Sequence, residues 1–164
     1  MADVFTPQKR SEIMSRIRSS GTTPEARLAA SVRGALGARW RIDMNVRTLP
    51  GQPDVVVPSL RLAIFADGCF YHGWPEHGHV PKSNAGYWLP KLARNRKRDR
   101  VSRKVLREMG YAVWSFWEHQ LAGRRLARTQ LALARRLRAR LELRRPRQAK
   151  DAGGEGISLR PQGR

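Results

Sequence analysis

Residues 53–65 read Pro53-Asp54-Val55-Val56-Val57-Pro58-Ser59-Leu60-Arg61-Leu62-Ala63-Ile64-Phe65. Two short apolar runs, 55–57 and 62–65, stand on either side of a Pro58-Ser59 turn, and neither shows the polar alternation of a half-solvated strand. Runs of this kind read as strands buried on both faces. An acid, Asp54, opens the first run. The second leads into Asp67-Gly68-Cys69-Phe70-Tyr71-His72-Gly73-Trp74-Pro75-Glu76-His77-Gly78-His79, which holds the only cysteine and three of the four histidines. Two strands that deliver an acid and a histidine to one place give the chain its candidate active site.

Helices are expected on both sides of this pair. Upstream, Thr6-Pro7 is a cap and first-turn pair, Ile13, Met14 and Ile17 follow at helical spacing, and Ser20-Gly21 ends a helix over about 7–19. Thr23-Pro24-Glu25 repeats the start signal, Leu28, Val32 and Leu36 form an i, i+4, i+8 stripe, and Gly37 stops it. Trp40, Ile42, Met44 and Val46 alternate with polar residues as in a half-buried strand, and Leu49-Pro50-Gly51 is a turn. Downstream, 87–109 reads as a helix with Pro90 in its first turn and Gly110 as terminator. On it Leu92, Asn95, Asp99, Ser102, Leu106 and Met109 share one stripe, so Asp99 faces the body of the protein. A strand over 111–117 has two apolar faces. An Arg-rich helix from 124 to about 143 carries Leu126, Leu133, Leu137 and Leu141, and the last twenty residues lack periodicity and are expected to be disordered.

The chain of 164 residues fits one domain with an arm or tail. Lys and Arg number 33 against 13 Asp and Glu, a net charge of +20, which calls for a polyanionic partner. Residues 91–145 alone contain eighteen basic and four acidic side chains, a density suited to a phosphate backbone. A solvated Arg-rich surface is the plainer alternative. A single cysteine excludes an internal disulfide and fits a reducing cytoplasm, the expected location. No apolar run is long enough to span a bilayer, and no lipid anchor or signal peptide is evident.

Phosphodiester hydrolysis needs an in-line water, a base, and a cation for the charge that develops on the phosphate. Asp54 offers hard carboxylate oxygens to magnesium at a strand start. Imidazole as a group titrates near working pH, which makes His72 the candidate base, and Asp99 is placed to hold its second ring nitrogen. Glu25, in a first helical turn, is a further acid that can reach the same place through water. Each has a plainer role when taken singly: Asp after Pro as a cap, Glu in a first turn as a partner of the macrodipole, His as a surface residue. Cys69, His77, His79 and His119 are a possible tetrahedral zinc set. Phe70, Tyr71, Trp74, Tyr87 and Trp88 are rings beside a basic surface, able to wedge between base pairs or simply to pack in a core.

The segments Leu49-Pro50-Gly51-Gln52-Pro53-Asp54, Phe65-Ala66-Asp67-Gly68-Cys69-Phe70-Tyr71-His72-Gly73, Tyr87-Trp88-Leu89 with Lys91 and Asn95, Arg98-Asp99-Arg100, and Trp117-Glu118-His119 resemble the very short patch repair (Vsr) DNA mismatch endonucleases, from about Gln8 to Gly123. The resemblance implies a restriction-endonuclease-like α/β fold (PD-(D/E)xK type), a central mixed sheet flanked by helices, with an endonuclease domain over 1–122, an Arg-rich helix over 123–144 and a tail over 145–164. It implies a monomeric enzyme that nicks one strand of double-stranded DNA beside a T:G mismatch, with downstream repair proteins as further partners. It assigns Asp54 to magnesium together with the main-chain carbonyl of Ala66, His72 to the general base, Asp99 to its support and Glu25 to the N-terminal acid. Phe70, Tyr71 and Trp88 fall on the intercalating wedge, Met14 on the segment inserted from the opposite groove, and Lys91, Asn95, Arg98 and Arg100 on the DNA-binding helix. Zinc falls to Cys69, His77, His79 and His119. Two positions depart from the pattern: Trp74 stands where a zinc ligand is common, and Asp67 stands where the best-known type has histidine, so that its carboxylate is expected to repel phosphate or recruit a cation. A DNA-binding module that has lost cleavage, or a nuclease of other DNA specificity, is the alternative reading.

Overall fold

A computed structural model describes residues 21–72 and 85–144, together with Lys9 and Glu12. The expected helix over about 7–19, with Met14, falls outside the described residues except at Lys9 and Glu12, and so do Gly73, Trp74, His77, His79 and the last twenty residues.

The first described helix, α1 (Thr23–Leu36), begins after the extended Thr22 and closes at Gly37, whose φ of 84° a residue with a Cβ rarely adopts. Leu28 and Val32 are fully buried, and Leu36 nearly so, as the stripe requires. Strand β1 (Asp43–Met44) pairs antiparallel with β2 (Val55–Val57), which pairs antiparallel with β3 (Leu62–Asp67). A single 3₁₀ turn, Pro58–Leu60, and a left-handed Arg61 join β2 to β3. Helix α2 (Ala85–Glu108) then carries the chain to β4 (Ala112–Trp117), which lies parallel to β3 from Leu62↔Ala112 to Asp67↔Trp117. The sheet order is β1-β2-β3-β4, and α3 (Arg125–Arg144) follows a 3₁₀ turn over Glu118–Leu121.

The alternation of β3 divides the core. Leu62 and Ile64 pack with α1 and with Leu133 and Leu137 of α3, while Ala63 and Phe65 pack with Leu106 of α2. The molecule is therefore a mixed sheet between α1 and α3 on one face and α2 on the other. The Arg-rich α3 is bound to that core: the Arg136 guanidinium lies 4.2 Å from the centre of the Trp114 ring, and Arg140 donates to the Leu60 carbonyl at 3.1 and 3.2 Å.

Three expectations are corrected. The strand expected over 40–46 shrinks to two residues, because Asn45 takes a left-handed φ of 49° and ends the extended run. Trp40 and Ile42 instead pack against the first core cluster. Helix α2 starts at Ala85, which places Pro90 in the second turn, where its missing N–H leaves the Gly86 carbonyl without the usual helical donor. Met109, counted on the inward stripe, lies beyond the helix end and is 43% exposed. Among the described residues no helix is long and apolar enough to cross a membrane.

Candidate active site

Asp54 sits immediately before β2, where the antiparallel ladder with β3 has ended and the next β3 amides have no β2 partner. The Ala66 N–H therefore donates to Asp54 Oδ2 at 2.7 Å. Burial pushes the Asp54 carboxyl from 3.8 to about 6; the Ala66 hydrogen bond pulls the other way, and the Glu25 and Asp67 carboxylates push it further up. Glu25 is itself buried and fixed, accepting from the Gly21 N–H and from Thr22 Oγ1, both at 2.8 Å. The turn before Asp54 lies hard against α2, since a Cβ on Gly51 would come within 2.8 Å of the Ser102 Cβ. That close approach brings Asp54 to the helix that carries Asp99.

His72 closes a turn after β3 by donating its N–H to the Gly68 carbonyl at 3.1 Å. Its Nδ1 lies 2.7 Å from Asp99 Oδ2. Donation from Nδ1 to the carboxylate leaves Nε2 as the acceptor nitrogen, the state a general base needs. Burial raises the Asp99 carboxyl, yet the hydrogen bond and charge of His72, with Arg98 and Arg103 nearby, outweigh it and hold Asp99 below its ordinary value. Glu25, Asp54, Asp67, His72 and Asp99 all line one cavity of about 550 Å³. The structure thus brings the four expected catalytic residues to a single cleft.

Asp67, expected to repel phosphate or recruit a cation, is paired with an arginine. It is 2% exposed, and both its oxygens accept from Arg103 Nη2, at 2.6 and 2.7 Å. The charge is already matched by a guanidinium. Arg103 went unnoticed in the sequence because it is one of nine basic side chains on α2; its i+4 spacing from the inward Asp99 was the available signal.

Of the expected zinc donors, Cys69 and His119 meet, with Cys69 Sγ 3.1 Å from His119 Nδ1. His77 and His79 lie outside the described residues, and among those described no group of three such side chains is arranged to hold a metal. The aromatic rings form an edge-on stack, Phe70 lying 5.1 Å from Tyr71 and 5.0 Å from Trp88. Trp88 is buried, Phe70 and Tyr71 are half-buried, and Tyr87 is half exposed. Lys91 stands over the rings of Tyr87 and Trp88. Asn95 reaches the Tyr71 carbonyl at 3.5 Å, tying the loop to α2, while Arg98 and Arg100 are exposed.

The sequence of this chain has relatives among known proteins. The family model described as DNA mismatch endonuclease Vsr matches residues 2–77. The chain is 39% identical to the DNA mismatch endonuclease Vsr of Escherichia coli over 142 residues, covering 84% of this chain and 86% of that one. It is 43% identical over 114 residues to the type II nicking enzyme V.NaeI of Lentzea aerocolonigenes (68% of each chain), and 38% identical over 123 residues to V.XorIIP of Xanthomonas oryzae (74% and 88%). These matches define the class as DNA endonuclease. Within it, the chain belongs to the Vsr DNA mismatch endonuclease family.

Proposed function

We propose that this chain nicks one strand of duplex DNA beside a T:G mismatch, using magnesium, with His72 as general base. The observation that carries the reading is the 2.7 Å contact between His72 Nδ1 and Asp99, made on the wall of the cavity that holds Asp54. A module that only bound DNA would need no imidazole oriented in this way. The sheet and its two helical layers suit the restriction-endonuclease-like type, with the endonuclease unit over 1–122 and α3 as an addition.

The donor set fits magnesium. A buried carboxyl at about 6, crowded by two more carboxylates, is a site that a divalent cation would relieve. That few side chains converge is also in character, because magnesium keeps several waters and takes only one or two protein carboxylates. Asp54 and a main-chain carbonyl at Ala66 would hold it, with Glu25 acting through water. When bound, the ion would draw off charge developing on the phosphate and the leaving oxygen.

The protein's own residues do the rest. Asp99 orients the imidazole and stabilises the imidazolium that forms when Nε2 takes a proton from the attacking water. The water oxygen bonds to phosphorus, one bridging P–O bond breaks, and the leaving oxygen takes a proton from solvent water, while the imidazolium returns its proton to solvent. Phe70, Tyr71 and Trp88 supply the aromatic face for a distorted base step, and Cys69 and His119, with His77 and His79, would hold zinc, which would fix the loop between them. Purified protein offered duplexes with T:G, T:A or C:G at one position, with magnesium, tests this. Nicking of the T:G duplex alone is expected; uniform cutting rejects mismatch specificity, and binding without cutting leaves only the binding module.

A further inference from the structure

The acid-lined cleft does not attract phosphate by itself. Glu25, Asp54, Asp67 and Asp99 face it against Arg47, Arg98 and Arg103. A second cavity, of about 360 Å³, adjoins it and has the opposite balance: Arg96, Arg100, Arg103 and Arg107 line it with only Asp67 and Asp99. Both of those acids already have partners, Arg103 for Asp67 and His72 for Asp99. Asp67, His72, Asp99 and Arg103 line both cavities and form the wall between them.

The four arginines fall at i, i+4, i+7 and i+11 on α2, within about 60° of arc and along about 16 Å of axis. That length matches the axial rise of about five nucleotides of one DNA strand. Arg96, Arg100 and Arg107 are exposed and make no ion pair among the described residues. Arg103 is different. Its Nη2 is spent on Asp67, its face lies over the Phe65 ring at 5.1 Å, and its Nε is buried without a partner. It is a fixed member, between Arg100 and Arg107, of an otherwise exposed row.

We infer that Arg96, Arg100, Arg103 and Arg107 form a phosphate track that seats the backbone of the cleaved strand and leads it across the Asp67–Arg103 wall to His72. The inference rests on the assignment of the chain as a DNA endonuclease, and gives the strand its path into the cleft. Asp67 acts here as the anchor of Arg103.

The test is duplex binding by full-length protein in chelator, as a function of salt. Each phosphate contact contributes a slope of about 0.9 to the fall of log K with log salt. The triple variant Arg96→Gln, Arg100→Gln, Arg107→Gln is expected to reduce the slope by roughly 2 to 3. A control triple on the opposite face of the sheet, Arg128→Gln, Arg135→Gln, Arg138→Gln, is expected to leave it nearly unchanged. Single methylphosphonates along the cleaved strand should weaken wild-type binding at a few adjacent positions, and the α2 triple should lose that sensitivity. An unchanged slope in the α2 triple, an equal loss in the control, or retained methylphosphonate sensitivity overturns the track while leaving the endonuclease assignment intact. Wild-type protein that fails to bind duplex overturns both.

Discussion

Replacing Asp54 by Asn should stabilise the cation-free protein while abolishing nicking. Asn preserves shape, and its side-chain oxygen can still accept from the Ala66 N–H that now bonds Oδ2 at 2.7 Å. What it removes is a carboxylate whose folded-state value is raised from 3.8 to about 6 by burial and by the nearby acids Glu25 and Asp67. The folded protein therefore holds this proton more tightly than the unfolded chain. Stability is unpenalised below about pH 3.8, falls as pH rises from there to about 6, and carries the full cost above it. Converted at 1.36 kcal/mol per pH unit, the difference is of order 3 kcal/mol at neutral pH. Urea unfolding in chelator at pH 7.5 should show a gain for Asp54→Asn of about 1 to 3 kcal/mol. The same comparison near pH 4 should show almost none. Added magnesium should raise the midpoint of the wild type and leave the variant where it was. A variant no more stable than wild type at pH 7.5, or a gain that persists undiminished at pH 4, would refute the account of Asp54 as a strained carboxylate awaiting a cation.

The remaining predictions concern the base, the core and the loop. His72→Ala should lower single-turnover nicking by about 10²–10⁴-fold with duplex affinity retained, and Asp99→Asn should follow it in direction, since an amide can donate to Nδ1 and so stabilise the wrong tautomer; lost binding by a folded His72→Ala would remove it from the chemistry. Leu133→Ala should cost about 2–5 kcal/mol in urea unfolding, because the side chain is 1% exposed between α1 and the sheet; a loss below 1 kcal/mol would mean that α3 is dispensable to the fold. Elemental analysis of protein purified without chelator should find about one zinc per chain, and Cys69→Ser should lose it; zinc-free wild type would reduce the Cys69–His119 contact to an ordinary hydrogen bond.

How much was legible depended on whether a residue's fate was decided locally. Val55–Val57 and the run from Leu62 are so uniformly apolar that burial on both faces was their only outcome. Asp99 could be turned inward from the stripe of Leu92, Asn95, Ser102 and Leu106 alone, and it meets His72. The length of β1 was not local: Asn45 adopts its left-handed conformation while its N–H donates to the Asp54 carbonyl, a contact set by the fold. The Asp67–Arg103 pair was hidden for a related reason. Spacing says which face of α2 a residue occupies, but not which of nine cations on a helix finds the buried Asp67 carboxylate across from it.

The convergence of the site follows from strand direction more than from any single contact. Because β2 runs antiparallel to β3, the start of β2 lies beside the end of β3, and Asp54 meets Ala66. Because β4 runs parallel to β3 with Asp67 opposite Trp117, both strands leave the sheet at the same level, and Cys69 meets His119 two residues beyond each. The crossover helix obeys the same constraint. Five steps along β3 from Leu62 to Asp67 rise about 16 Å, which a helix returning toward the start of β4 covers in about eleven residues. Counted back from the end of α2 at Glu108, that places the level of the strand tops near residue 97. Asp99 lies within a turn of that level on the inward stripe, while Arg96, Arg100 and Arg103 flank it. Chemistry gathers at this edge because the register admits acids, imidazole and arginines there together, while the opposite edge is taken up by the Arg61 connection and the Gly110 turn.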